Sequence, residues 1–420
     1  MTSGVFVSRS TFHGKAMQNY MDNKEHTYSV ETEYLYKGDR VEGMDLKPEV
    51  IPCFLTTAFN MDNLHDVNDV YARHGYTYIR TRNPNRDALA SVISYLENGK
   101  ASDIFSSGMG AITSTLFTLL APGDHMICNK DIYGETFNVM DEFLMQRMNV
   151  DVTDISFADM DAVRKAITPK TKVIYTEVVS NPTFRIADIA SLAAVAHEAG
   201  AKLVVDNTFT TPFAVKPLDL GADVVINSLT KFLNGHSDAI GGSVTSNDAE
   251  LVAKIHHISM LTGTPGDPFS AWLILRGVHT AAIRIPRQIE TAAKLAHALE
   301  KNPLVLGVNH PSLESHPQYA LAQSMVPGGL GSPILSVYLP EDVDKISAFM
   351  DRLHFANYAP TLGGIRTSLS HPVTSSHPNV PDDIRRAMGI TPGLIRVSVG
   401  TENADDLIAD FEQALEVFKN

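Results

Sequence analysis

Cysteine is nearly missing: Cys53 and Cys128 are the only two in 420 residues. So few thiols in a chain of this length leave no material for a disulfide framework and point to a reducing compartment. Long apolar runs are missing as well. The longest patches are the size of one helix or strand, short of the roughly 20 residues that cross a bilayer. Positive charge is in deficit, with 34 Lys and Arg against 48 Asp and Glu and a formal net charge of −14. That field repels phosphates and disfavours non-specific binding to nucleic acid or an anionic membrane, while leaving room for a local anion pocket. The opening MTSGVFVSRSTFHGKAMQNYMDNKEHTYS has no apolar core of the signal-peptide kind. Tandem repeats and low-complexity tracts do not occur. The expectation is a cytoplasmic protein with no nucleic-acid or membrane partner.

What is present is a globular balance, 44% hydrophobic and 20% charged residues, in a chain too long for one ordinary core. Residues 1–75 are weakly periodic and polar and read as an arm that needs a partner surface. Within 76–280, from about residue 100, short apolar runs alternate with helical patterns: ASDIFS, HMICN, VDVTDI, KVIYTEVV, KLVVDN and DVVINSL are the strand candidates. Such alternation predicts a mostly parallel central sheet flanked by helices, an α/β fold. Residues 281–420 change character. ILSVYL and PGLIRVSVG read as strands among helical segments, which predicts a smaller α+β carboxyl-terminal domain.

Polar clusters fall where parallel sheets bind ligands, past the carboxyl ends of strands. In DVVINSLTKFLNGHSDAIGG, residues 223–242, Lys231 follows an apolar run and stands beside Ser228 and Thr230. A lysine of depressed pKa in a half-buried pocket forms a Schiff base with a carbonyl, and the hydroxyls suit phosphate oxygens. SSGMGAI, residues 106–112, opens a helix, so backbone N–H groups of Ser107, Gly108 and Met109 can cradle an anion. By itself this turn reads better as an ordinary strand–helix connection. Its glycine pattern lacks the third glycine of a dinucleotide fingerprint, which leaves an NAD-dependent dehydrogenase little support. VVDNTF, residues 204–209, ends a strand on Asp206, a carboxylate that wants a cation or strong donor, or that caps the next helix. Amine, phosphate ligands and carboxylate together describe a pyridoxal phosphate site. The carboxylate keeps the ring nitrogen protonated so that the ring accepts electrons from a substrate carbanion.

With YIRTRNPN, ENGKASDIFSSGMGAI, YGETF, SNPTFRIADI, VVDNTF, SLTKFLNGHSDAIGG, DPFSAWLILRG, TLGGIRTSL and LIRVSVG, the chain resembles the Cys/Met-metabolism pyridoxal-phosphate enzymes from about residue 50 to its end. This γ-family includes cystathionine γ-lyase, cystathionine γ-synthase, methionine γ-lyase and O-acetylhomoserine sulfhydrylase. The resemblance implies the type I fold of pyridoxal-phosphate-dependent transferases and γ-elimination or γ-replacement on a γ-substituted L-amino acid of homoserine type. It implies that Lys231 carries the cofactor and shuttles protons, and that Tyr133 stacks on the ring and acts as acid for the leaving group. Gly108, Met109, Ser228 and Thr230 match the phosphate ligands, Asn181 the neighbour of the ring hydroxyl, and Asp206 the partner of the ring nitrogen. Arg396 matches the grip on the substrate α-carboxylate. Tyr78 and Arg80 match a pair that reaches the phosphate of a neighbouring subunit. That makes a dimer the minimal unit and a tetramer of two such dimers the usual assembly.

Two substitutions depart from the family. Glu135 follows the tyrosine loop where methionine γ-lyases carry Cys and cystathionine enzymes Gly. Arg366 stands where cystathionine γ-lyases carry Glu, beside Thr367 in place of Ser. Three readings remain: Glu135 receives a cationic tail such as that of canavanine, Arg366 receives an anionic tail, or the two pair and leave a small pocket. The first is preferred, because a buried carboxylate there needs a positive partner. Outside this family, His310, His316, His371 and His377 raise a metal hydrolase. They lie in Pro-punctuated loops without helical metal-ligand spacing, and no metal is expected. A cofactor-free structural homologue would not require Tyr133, Asp206, Lys231 and Arg396 together.

Overall fold

The computed structural model describes residues 29–37, 48–376, 378 and 381–419. Its strands are β1 (Ala101–Phe105), β2 (His125–Asn129), β3 (Asp151–Ile155), β4 (Thr171–Glu177), β5 (Lys202–Asp206), β6 (Val224–Ser228), β7 (Gly242–Ser246), β8 (Gly307–Asn309), β9 (Ile334–Tyr338), β10 (Asn357–Tyr358), β11 (Ser368–Ser370) and β12 (Leu394–Ser398). The first seven form one sheet in the order 1-7-6-5-4-2-3, and the last five form another in the order 10-11-12-9-8. Strands β2 to β6 run parallel, and β7 enters antiparallel between β6 and β1. The smaller sheet is antiparallel apart from the β10–β11 pair. The expected α/β architecture, with its smaller α+β part, is the one the chain adopts.

Alternation along the strands sorts the larger sheet into two faces, since successive side chains point to opposite sides. Ile127, Ile174, Leu203, Val205 and Val225 enter one apolar core. Met126, Val173, Tyr175, Val204, Val224 and Ile226 enter another, with Ile112 and Leu116 of the helix Gly108–Leu119. Continuing the same parity to the strand ends puts Glu177, Asp206 and Ser228 on the face that carries this helix. The helix Ala281–Glu300 serves two cores: Ala281 and Ile285 join the first, while Ala292, Leu295 and Leu299 join that of the smaller sheet.

Much of the expected arm over 1–75 lies outside the described residues. Two points of its described part are anchored on the same chain. Tyr34 is buried and donates its hydroxyl to the His279 carbonyl at 2.9 Å, and Trp272 Nε1 donates to the Ile51 carbonyl at 2.9 Å. Sequence patterning missed β7, whose GSVTS has little apolar character. Its small residues are a packing requirement: a Cβ on Gly242 would lie 2.2 Å from the Ser107 carbonyl oxygen. The short β8, β10 and β11 were missed too, because two or three residues carry no period.

On the opposite face, the fully buried Glu97 caps the helix Pro84–Leu96. Its Oε1 accepts from Asn227 Nδ2 at 2.7 Å and Asn207 Nδ2 at 3.1 Å. Burial pushes this carboxyl up to about 7 despite those two donors. The proton Glu97 holds therefore stabilises the fold fully below its ordinary value of 4.5, and that contribution is lost as pH rises through about 7. A shift of this size corresponds to ~3 kcal/mol. Glu97→Gln keeps an oxygen acceptor and cannot ionise. Thermal unfolding from pH 4.5 to pH 7 should move progressively in the variant's favour relative to wild type, and a pH-independent difference would contradict a titrating Glu97.

Candidate active site

A cavity of about 350 Å³ opens at the carboxyl ends of β4, β5 and β6. Its floor comes from the parity just described, with Glu177 and Asp206 as register partners on adjacent strands. Lys231 lies three residues past β6, its N–H on the Ser228 carbonyl at 3.2 Å and its own carbonyl taken by Gly235 N–H at 2.8 Å. This fixes the lysine backbone at the cavity wall. A Cβ on Gly363, from the turn before β11, would lie 2.9 Å from Lys231 Cα, so only glycine lets that turn approach so closely. Gly363 also has a φ of +85°, which favours glycine independently.

One end of the cavity is built for an anion. Ser107 caps the helix Gly108–Leu119 with extended backbone, and its Oγ accepts from Gly110 N–H at 3.0 Å. The first N–H groups of such a helix have no partner within it, and here Gly108 and Met109 border the cavity. Ser228 faces them, its own N–H donated to Thr208 Oγ1 at 2.8 Å. Thr230 Oγ1 both donates to the Gly241 carbonyl at 3.2 Å and accepts from the Gly241 N–H at 3.1 Å.

Charge is arranged tightly around the middle. Asp206 accepts from Thr208 N–H at 2.9 Å, and burial raises its pKa against that donation. Burial, with the charge of Arg396 second, pulls the Lys231 amine below the usual lysine range. Burial raises the Tyr133 hydroxyl, with Glu135 adding to the effect. Arg396, mid-strand in β12, reaches across from the smaller sheet. It donates Nη1 to Asn181 Oδ1 at 3.1 Å and Nη2 to the Thr361 carbonyl at 3.2 Å. Among the described residues its buried Nε has no partner, and burial lowers the guanidinium to about 10. No carboxylate among those residues pairs with it, and a carboxylate is the group that matches its planar fork.

These features fit the cofactor that the resemblance implies. Unpaired helix N–H groups face Ser228 for a phosphate, a carboxylate lies on the floor for a ring nitrogen, and an amine is held neutral more readily than usual. Eleven of the fifteen residues assigned from sequence to cofactor or substrate border this cavity: Ser107, Gly108, Met109, Tyr133, Glu135 and Asn181, with Asp206, Ser228, Thr230, Lys231 and Arg396.

The other four do not. Tyr78 and Arg80 are exposed, with Arg80 Nη1 donating to the Met260 carbonyl at 3.1 Å. Arg366 is exposed away from the lining. Thr367, expected to face substrate, is buried instead, its hydroxyl donating to Glu402 Oε2 at 2.8 Å and accepting from Gly400 N–H at 2.9 Å. Glu135 is also corrected in one respect. It is exposed, so burial does not demand a cation there, and its Oε2 accepts from Asn138 Nδ2 at 3.2 Å. No ion pair joins Glu135 to Arg366 among the described residues.

The loop histidines are occupied by backbone carbonyls. His310 Nε2 meets Ser332, His316 Nε2 meets Phe184 and His371 Nε2 meets Pro392. His377 lies outside the described residues. Sequence reading missed Glu177 on the floor and Thr208 beside Asp206. The signal for Glu177 was available: it ends its strand as Asp206 ends the next.

Comparison with known proteins agrees in extent. A family model described as Cys/Met metabolism PLP-dependent enzyme matches residues 31–416. The cystathionine gamma-lyase of Bacillus subtilis (strain 168) is 40% identical over 81% of this chain and 89% of its own length. An L-methionine gamma-lyase of Fusobacterium nucleatum subsp. polymorphum is 38% identical over 87% of this chain and 93% of its own. Among solved structures, cystathionine gamma synthase from Xanthomonas oryzae pv. oryzae, in complex with aminoacrylate and cysteine, superposes with a TM-score of 0.87. It is 33% identical and covers 94% of this chain and 99% of its own.

The anion end can be tested directly. A Cβ on Gly108 would stand 2.9 Å from Ser228 Cβ and 3.1 Å from its Oγ. Gly108→Val should therefore weaken binding of pyridoxal phosphate by about tenfold or more, ~1.4 kcal/mol, in a spectrophotometric titration of cofactor-free protein. Unchanged affinity would remove this helix start from the site.

Proposed function

The chain belongs to the Cys/Met metabolism PLP-dependent enzyme family, and from that premise we propose γ-elimination or γ-replacement on a γ-substituted L-amino acid whose distal group is cationic, canavanine being the type. The observation that carries the cationic tail is Glu135. Its carboxylate borders the cavity next to Tyr133, is oriented by Asn138, and has no cationic partner among the described residues, while Arg366 lies off the lining.

Bound pyridoxal phosphate would supply an electron sink that lets protons leave Cα and then Cβ of a substrate amino acid. The chain's own residues do the rest. Arg396 takes the α-carboxylate on its unpaired Nε and holds the substrate in one orientation. Lys231 carries the cofactor at rest, and its amine then removes the Cα proton and reaches the adjacent Cβ proton, aided by a pKa below the ordinary lysine value. The Tyr133 hydroxyl, whose pKa burial raises above its ordinary value, delivers its proton to the departing γ-substituent. Asn181 and Asp206 hold the ring edge, and Gly108, Met109, Ser228 and Thr230 the phosphate. Tyr78 and Arg80, exposed and off their own chain's cavity, serve the cavity of a second copy, which makes a dimer the smallest active unit and a dimer of dimers the proposed assembly.

A second reading has its own support. The relatives are named for cystathionine and methionine, and at about 40% identity a sulfur-containing or acetylated tail is the plain alternative. A substrate panel separates them. Canavanine should turn over faster than O-acetylhomoserine with sulfide, cystathionine or methionine, and Glu135→Gln should lower kcat/KM for canavanine by about tenfold with little change for the neutral tails. Inert canavanine beside rapid O-acetylhomoserine turnover would replace the first reading with the second.

A further inference from the structure

Glu177 has no role in the chemistry above, yet it lines the cavity floor and meets the tyrosine turn. Its Oε1 accepts the Tyr133 N–H at 2.6 Å, and the Asn181 backbone N–H lies near enough to favour its charged form. Asn181 in turn accepts Arg396 Nη1 through its side chain. One path thus runs from Tyr133 through Glu177 and the neighbouring Asn181 turn to Arg396, hydrogen-bonded at both its ends. We propose that Glu177 is a positioning residue that ties the tyrosine turn and the Asn181 turn to the cavity floor, and through them sets Tyr133 against Arg396.

The local structure makes such a tie necessary. Tyr133 stands at the start of the short helix Gly134–Val139, has no side-chain cap and is 43% exposed, so its ring is not fixed by burial. The one other described link between the two turns is the pair Arg185–Asp131 at 2.8 Å, whose arginine is partly exposed. Glu177 is itself buried, beside Asp206 and within reach of the charge of Asp131. Burial, then Asp206, pushes its carboxyl well above the ordinary range. A carboxyl retained there against burial and a like charge needs a compensating interaction, and the Tyr133 N–H, with the Asn181 N–H nearby, is what it receives.

The role rests on an acceptor oxygen rather than on a charge, which separates two variants: Glu177→Gln keeps the oxygen and Glu177→Ala removes it. Amide hydrogen exchange of the full-length protein, with and without pyridoxal phosphate, reads the tie without any substrate, so failure of the cationic-tail reading leaves this test intact. In Glu177→Ala, segments 131–137 and 179–185 should exchange roughly tenfold faster or more, as loss of a buried hydrogen bond implies. The strands of the smaller sheet should be unchanged. Cofactor affinity should fall, and Glu177→Gln should restore protection and affinity to within about twofold of wild type. Unchanged exchange in the two segments, acceleration throughout the chain, or a Gln variant as loose as the Ala variant would each overturn the proposal.

Discussion

The period of two along β4, β5 and β6 is the constraint on which the site depends. It commits alternate side chains to two buried cores, and at the last residue of each strand it leaves Glu177, Asp206 and Ser228 facing one side. A one-residue slip in any of these strands would turn its polar end into the opposite core and its apolar residues out of theirs. Because both faces are filled by tightly packed Val, Ile and Leu, that slip is strongly opposed. The cavity therefore gains its precision from the interior of the sheet, with no dedicated scaffold of its own.

A second consequence is that the site spans both sheets. Asp206 ends β5 and Lys231 follows β6 of the larger sheet, while Arg396 lies in the middle of β12 and reaches Asn181 across the boundary. The helix Ala281–Glu300, shared between the cores, fixes the relation of the two. Gly363 adds a direct contact from the smaller unit to the backbone at Lys231. Relative movement of the two sheets would change the separation of Lys231 and Arg396, the two cations whose mutual repulsion helps depress the amine.

Sequence patterning made the strand ends legible because chemistry-bearing residues interrupt apolar runs there, as Asp206 does in VVDNTF and Lys231 after DVVINSL. It failed where packing, and not period, decides the element. β7 is buried yet made of Gly, Ser, Val and Thr, since it passes close to the Ser107 backbone. Thr367 shows the limit of position-by-position carry-over: its hydroxyl is occupied by Glu402 and Gly400 and turns away from the cavity. Glu135 shows another, since its neighbourhood is open where an enclosed carboxylate was expected. Glu177 was hidden for a different reason. Its bond to the Tyr133 N–H links turns far apart along the chain, which no local pattern reports.

The covalent assignment of Lys231 is the claim from which the remaining roles take their meaning. Reduction of the cofactor-loaded protein with borohydride, followed by proteolysis and mass spectrometry, would fix the attachment point. The pyridoxyl mass should appear on the peptide containing Lys231 and on no other lysine peptide. A modified lysine elsewhere, or a chain left unmodified after saturation with pyridoxal phosphate, would contradict it.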